Sequence, residues 1–405
     1  MNTVGRESGL QLHYQRASVS QWMAGTQPRP PVPPVIVEAL SRLLGRPVTL
    51  EQAGLAPDRA VPLPREREDR YAPEPLRALS AVYRPARLPR RLTAEADRPG
   101  LRPVPRPGPA RFGPEHVACV ALMTDQFSRS DHLSGSGAVV DALTGFTIDV
   151  ALPWLDGSAR PALRRAMFTA CARLATLGGF LQADHNRHGC AQNWYFLAAS
   201  LAEESGDPLT LAVVLRALSV QALGLEQFPL ALQLAEHATT LATRADHRTL
   251  AHLHGQLGLA QAATGERHAA LQTIRRAERH LDRATGDSPA VGTYNTAALA
   301  HQRAEVRYRL GDGEGALADL RLSVRLRPVS EARARALVLA RLGTLHLAEG
   351  SLDAACAVWE RFLAARTGIS SPRIDAAYAA MRLAVIPHRR NPDVTHLLST
   401  AARSV

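Results

Sequence analysis

From Gly179 to Phe362 the chain returns again and again to one pattern of small residues and turns, the kind that stacked helical hairpins satisfy. Leu257-Gly258 is followed by Gly265-Glu266 and then by Ala270, Ile274 and Ala277. The order recurs as Gly311-Asp312, Ala316, Leu320 and Ser323, closed by Pro328, and again as Leu342-Gly343, Gly350, Ala355, Trp359 and Phe362. Two weaker copies come earlier: Leu218, a turn at Glu226, then Ala231, Ala235 and Ala238; and Gly179, a turn at Asn186, then Ala191, Tyr195 and Ala198. The turn positions 186, 226, 265, 311 and 350 are therefore spaced by 40, 39, 46 and 39 residues. Gly or Asn at four of these turns supplies a left-handed backbone that ends the first helix. A small residue in the first helix then meets a small residue in the second where the axes are closest, and the larger apolar residue four positions on is expected to fill the gap to the next repeat.

This arrangement resembles the tetratricopeptide repeat over roughly residues 160 to 365, with a longer period and without the usual Tyr in most first helices. Helical hairpins of another superfamily would obey the same packing logic. Either way the expected fold class is all-α, with a solenoid over 156–388, a helical lead-in over 115–155 (helices at about 115–130 and 137–152) and a tail over 389–405. The resemblance implies a concave groove for a protein or peptide partner. Composition agrees: 46% of residues are hydrophobic and only 5% aromatic, so the apolar content is mostly Ala, Leu and Val, which suits close-packed helices.

All 48 basic residues are Arg, which a GC-rich coding sequence produces and which discounts arginine richness by itself. Its distribution is more informative. Residues 1–113 hold 18 Arg against 10 Asp and Glu, so +8 of the formal +11 sits in the first quarter. A localised basic excess is the footprint of a polyanion binder, although a solvated linker would show it too. Residues 56–114 are rich in Pro and Arg, as in Val104-Pro105-Arg106-Pro107-Gly108-Pro109, and are expected to be a largely disordered linker with room for a short helix near Pro75–Tyr83.

Ahead of that linker, Arg16-Ala-Ser-Val-Ser-Gln-Trp-Met-Ala-Gly25 reads as a short helix with Ser18 as cap, Val19 and Trp22 buried and Gly25 as stop. Pro34 opens a second helix with Ile36, Ala39, Leu40, Leu43 and Leu44 on one face, ending at Gly45, and Thr49 starts a third turn through Leu50 to Ala53. The segment resembles the second half of a helix-turn-helix domain of the lambda-repressor-like (Xre) class, and a small unrelated helical cap is the competing reading. The resemblance implies that Gln15, Arg16, Ser18 and Gln21 face DNA, that Arg29 approaches a phosphate, and that such heads pair as a homodimer on two half-sites. Most of the first two helices of such a domain has no counterpart here, as expected if the start codon lies inside a longer reading frame. Head, Arg/Pro-rich linker and repeat solenoid in this order resemble a class of actinobacterial transcriptional regulators.

Other chemistry is sparse. Asp184-His185-Asn186-Arg187-His188-Gly189-Cys190 is the densest set of metal-ligand types, but it falls on a repeat turn and lacks a second ligand pair. His252 and His254 point to different faces of one helix, and His301, His346 and His388 stand alone. Gly135-Ser136-Gly137 reads as a loop and not as a nucleophile elbow, and Gly311-Asp-Gly-Glu-Gly315 lacks the ending of a phosphate loop. Glu203-Glu204 reads as a solvated helix end. Cys119, Cys171, Cys190 and Cys356 show neither disulfide nor zinc spacing, and no apolar run reaches the ~18 residues of a membrane span. The expectation is a cytoplasmic, non-enzymatic protein without cofactor or metal: a DNA-binding transcriptional regulator whose solenoid binds a partner, or, alternatively, a scaffold with a vestigial head.

Overall fold

The computed structural model describes residues 2, 12–23, 28, 32–44, 53, 55, 109, 111–284 and 294–403. Gly25, Arg29, Gly45, Thr49 and nearly all of the Pro/Arg-rich linker, including the helix expected near Pro75, lie outside them. The chain divides into two compact units, Met1–Asp69 with Arg90–Gly100, and Arg70–Pro89 with Leu101–Val405.

In the first unit, α1 spans Arg16–Met23 and α2 spans Val32–Leu44. The helix α1 starts three residues earlier than a Ser18 cap would place it. The carbonyl of Gln15 accepts the first bonds, from the N–H groups of Ser18 (3.0 Å) and Val19 (3.4 Å), so Ser18 lies inside the first turn. Before α1, Asn2 clamps Tyr14 from both sides: its Nδ2 donates to the Tyr14 carbonyl (2.8 Å) and its Oδ1 accepts the Tyr14 N–H (3.2 Å). In α2 the buried positions are Val32 and Val35, while Leu43, expected on the buried face, is 80% exposed. Two prolines in the first turn, Pro33 and Pro34, need no amide partners there, so the helix opens at Val32.

In the second unit, α3 (Pro114–Ser134) is followed by a single 3₁₀ turn, then by α4 (Val140–Phe146), which runs on through a π turn (Thr147–Ala151) into Leu152–Trp154. Helical pairs follow: α5 (Pro161–Asp184) with α6 (His188–Ser205), α7 (Pro208–Gly224) with α8 (Phe228–Leu241), and α9 (His247–Ala263) with α10 (Arg267–Asp282). After them come α11 (Thr296–Arg309) with α12 (Gly313–Leu326), α13 (Ala332–Ala348) with α14 (Leu352–Arg366), and α15 (Pro372–Val385) with α16 (Pro392–Arg403). Among the described residues there is no strand, only an isolated bridge between Arg111 and Ser158. The fold is an all-α solenoid of helical hairpins.

Positive φ marks all five of the turns that the repeat spacing singles out: Asn186 (57°), Glu226 (60°), Gly265 (85°), Gly311 (84°) and Gly350 (78°). The long 46-residue step contains the segment between Asp282 and Thr296. Asp207, Asp246, Asn295 and Asp312 each begin a helix by accepting a backbone N–H with the side chain, at 2.9–3.0 Å.

One packing expectation is corrected. A Cβ at Gly258 would lie 2.9 Å from the Ile274 side chain, a Cβ at Gly179 would lie 2.5 Å from the Tyr195 ring, and one at Gly343 would collide with the Trp359 indole. The larger residue four positions after the small one thus covers the glycine of its own hairpin, instead of reaching to the next. A bulky side chain can lie flat on a helix only where the facing position has none. A second correction concerns residues 389–405, expected as a tail: α16 buries Val394, Leu397 and Ala401 against the core formed with α14.

Candidate functional site

First helices of neighbouring hairpins pack on one another, α5 on α7, α7 on α9, α9 on α11 and α13 on α15, while α11 and α13 are linked through the Arg341 and Glu305 side chains; together they build an inner wall. The side chains that this wall shows are polar. On α7, Arg216 donates from Nε to the His252 carbonyl of α9 at 3.2 Å. The His252 ring lies 4.8 Å from that of Tyr294, whose hydroxyl donates to Gln302 Oε1 of α11 at 2.5 Å. On α13, Arg341 grips Glu305 of α11 with two bonds (2.7 and 2.9 Å) while stacking over Tyr308. His301 lies between these elements; its side chain is 38% exposed, yet burial and the charges of Arg327, Arg373 and Arg341 push its pKa down to about 4. Arg373, at the start of α15, reaches back toward the first hairpin, where it interacts electrostatically with Tyr195 and His188.

This return is possible because the two ends of the unit meet. Helix α3 packs on α5, and also on α13 and the turn Val329–Glu331. At their junction Asp184, the last residue of α5, is fully buried and accepts four contacts. Its Oδ2 takes the hydroxyls of Ser136 (2.6 Å) and Ser371 (2.7 Å), and its Oδ1 lies 3.3 Å from Arg333 Nη1 and 3.9 Å from Arg373 Nε. Arg333 also holds Asp131 of α3 at 2.8 Å and stacks over Phe180. Backbone bonds from Ser370 N–H to the Ser134 carbonyl (2.7 Å) and from Gly137 N–H to the Ser370 carbonyl (3.0 Å) run alongside. Burial raises the Asp131 carboxyl to about 6 against the opposing pull of Arg333, and burial, with Arg333 and Arg327, lowers the neighbouring His132 to about 4.

The residues singled out in the sequence fall as follows. In the first unit Gln15 and Gln21 are exposed and Ser18 is half-buried; Arg29 and the Arg16 side chain lie outside the described residues. Trp22 packs edge-on against Tyr14 (5.0 Å), but Val19, expected to anchor the helix, is 42% exposed. In the second unit, Gly135-Ser136-Gly137 is not a free loop but half of the junction, and Asp184 belongs to an ion pair. Among the described residues no group of three or more His, Cys, Asp or Glu is placed to hold a metal ion, and no helix is long and apolar enough to cross a membrane. Glu203 and Glu204 border an open recess with Asp207 and Leu211 at the α6–α7 turn. Arg216, Arg333 and Arg373 carried no local sequence signal, since only the stacking of separate hairpins brings them together.

Hairpins stacked around a polar inner wall make this unit a helical-repeat solenoid of tetratricopeptide-like fold. A family described as the SP15 N-terminal domain matches residues 1–56. No curated protein matches the chain. Among solved structures, the crystal structure of the APC/C hetero-tetramer Cut9-Hcn1 is similar at 14% identity and a TM-score of 0.38, covering 72% of this chain and 49% of that one. The chain thus spans about half the length of that solved chain.

Proposed function

We propose that this chain is a cytoplasmic two-part binding protein: the solenoid takes a protein or peptide segment on its inner wall, and the N-terminal unit contacts DNA, together making a transcriptional regulator. The observation that carries the first half is the wall itself, where Arg216, His252, His301 and Arg373 stand on four of the first helices, α7, α9, α11 and α15, without being consumed by the apolar core. Binding, and not turnover, suits such side chains, since the carboxylates near them are held in ion pairs. The test is a photo-crosslinking amino acid placed at His301, with one at the exposed Arg275 of α10 as control, in the cells that make the protein. Capture of a discrete partner from position 301 but not from 275 is expected, and equal capture from both would remove the reading.

The DNA-contacting half rests on the basic excess of residues 1–113, on the resemblance to a helix-turn-helix and on the exposure of Gln15 and Gln21 along α1. Affinity for duplex DNA is expected to fall steeply with salt, because arginine–phosphate contacts release counterions. Gln21→Ala is expected to erase preference among sequences selected from a random pool while leaving non-specific binding within about twofold. Absence of salt-dependent binding would leave the second reading, a scaffold whose head no longer touches DNA. One feature favours that second reading: Val19 is 42% exposed, so α1 is not seated as the resemblance implies.

A further inference from the structure

We infer that His247 and His280 form a binding site for one transition-metal dication of the zinc kind, which clips the start of α9 to the end of α10. The inference stands apart from the partner-binding and DNA-contacting readings and needs neither.

The two imidazoles come from opposite ends of one hairpin. His247 is the first residue of α9 and His280 lies in the last turn of α10, and their Nδ1 atoms face each other at 3.1 Å. Two nitrogens on one tetrahedral zinc ion, each bonded at about 2.0–2.1 Å, stand about 3.3–3.4 Å apart, so a shift of a few tenths of an ångström admits the ion. The competing occupant of the gap is a single proton, shared as a hydrogen bond from one Nδ1 to the other. Moving that proton to the far nitrogen of its own ring leaves both Nδ1 lone pairs aimed at the gap, and the ion enters with no net loss of a proton.

A third imidazole holds the arrangement. His254 is buried on α9, and its Nδ1 donates to the Leu250 carbonyl at 2.8 Å. The His280 ring is 5.3 Å from that of His247 and 5.3 Å from that of His254. Seven residues of helix, about 10 Å of rise, separate the last two, so His280 lies between them. Burial, followed by His254, His247, Arg283 and Arg276, lowers the pKa of His280, which therefore meets the ion as the neutral, ligating imidazole at pH 7. The surroundings also choose the kind of ion. Arg276 and Arg283 oppose any cation here, and the carboxylate of Asp246, beside His247 in the chain, is engaged by the N–H (2.9 Å) and hydroxyl (2.7 Å) of Thr249. A hard ion such as magnesium or calcium, which is held by oxygen ligands, has nothing to bind, whereas zinc, copper(II) and nickel draw their affinity from the imidazole nitrogen itself. The site is a set of two side chains, short of the closed set of a structural zinc site, and its remaining positions fall to water.

The test titrates the purified full chain, free of any histidine tag, with zinc chloride by calorimetry, with magnesium chloride beside it. One zinc ion is expected to bind at the pair and magnesium not. His247→Gln and His280→Gln are each expected to weaken zinc binding by about tenfold or more, since even groups that only orient a ligand cost that much. His388→Gln, which removes an imidazole near the far end of the chain, is expected to stay within about twofold. Hydrogen exchange at 250–254 and 277–282 reads the clip. At zinc ten times above Kd it is expected to slow by about elevenfold, the factor 1 + [zinc]/Kd for an ion that binds only the closed hairpin, and to be unchanged by zinc in His247→Gln. His247 is exposed, so that variant removes a ligand without emptying a packed position, and it carries the test alone should His280→Gln disturb the hairpin. No zinc binding, zinc binding at native affinity in the His247→Gln chain, or bound zinc that leaves exchange unchanged would each overturn the inference and leave the pair as a hydrogen bond only.

Discussion

Replacing Arg333 by Met tests whether the two ends of the solenoid are joined by charge. In the native protein the Arg333 side chain is 4% exposed and neutralises Asp131 and Asp184, themselves 1% and 0% exposed. Met keeps much of the volume over Phe180 but leaves two carboxylates buried without their cation. Removing one partner of a buried pair costs about 3–5 kcal/mol. The cost must depend on pH, and the sign can be worked out. Burial already raises the Asp131 pKa to about 6, and Arg333 is the main influence holding it down, so in the variant it rises further. Below that raised value the variant takes up a proton and loses its buried charge. Loss of Arg333 also relieves His132, whose pKa it depresses, and this acts in the same direction. The penalty should therefore be full near pH 8 and smaller near pH 5.5 by about 1–3 kcal/mol, at 1.36 kcal/mol for each pH unit lying between the two Asp131 values. Because solenoids open locally, the assay is hydrogen exchange of the amides at 134–137 and 368–373, corrected for intrinsic rates, rather than a single melting point. A loss under about 1 kcal/mol, or one independent of pH, would refute the assignment of Arg333 as the joint's charge.

Other outcomes follow from single sites. Gly343→Ala should destabilise by about 1–3 kcal/mol, since its Cβ would enter the Trp359 indole whose Nε1 donates to the Ala340 carbonyl; urea unfolding followed by tryptophan fluorescence measures it. The His301 imidazole should stay neutral down to about pH 4 by NMR. Being depressed, its pKa contributes stability above pH 6.5 that is lost as pH falls toward 4, and a midpoint above 6 would show an open, fully hydrated wall. Cys171, buried and pushed up to about 12, should resist alkylation at pH 8 in the native state while the partly exposed Cys119 and Cys190 react, as read by peptide mass.

The turns were legible because each demands something of one residue. A left-handed backbone at 186, 226, 265, 311 and 350 sits where Asn, Gly or a helix-ending polar residue breaks an apolar period, and that demand is visible locally. The last helix was missed because Arg389-Arg390-Asn391-Pro392 looks like the end of a fold, and the apolar stripe after it, Val394, Leu397 and Ala401, is short. The joint could not be read at all. Asp131 and Arg333 are 202 residues apart, Asp184 and Ser371 are 187 apart, and nothing near any of them in the chain hints at its partner. In the N-terminal unit the helices were placed but not their faces: α1 starts three residues and α2 two residues earlier than the caps suggest, and Val19 and Leu43, given to the buried faces, are exposed.

Closure and wall chemistry are one problem in electrostatics. Joining the ends consumes Asp131 and Asp184 on Arg333, while Glu331 and Glu305 are engaged by Arg327 and Arg341. No carboxylate is left nearby for Arg216, and Arg373 keeps only a distant share of Asp184. Were the ends apart, Arg373 would face water beside no first hairpin, and the wall would present one cation instead of two. Arg333→Met should therefore loosen the Arg373 end of the joint at pH 8, read as faster exchange of the amides at 368–373. Adding Asp131→Asn to that variant should restore part of the protection by removing a carboxylate left buried without its cation. Native protection in the Arg333→Met chain at pH 8 would show that the ends stay joined without this charge.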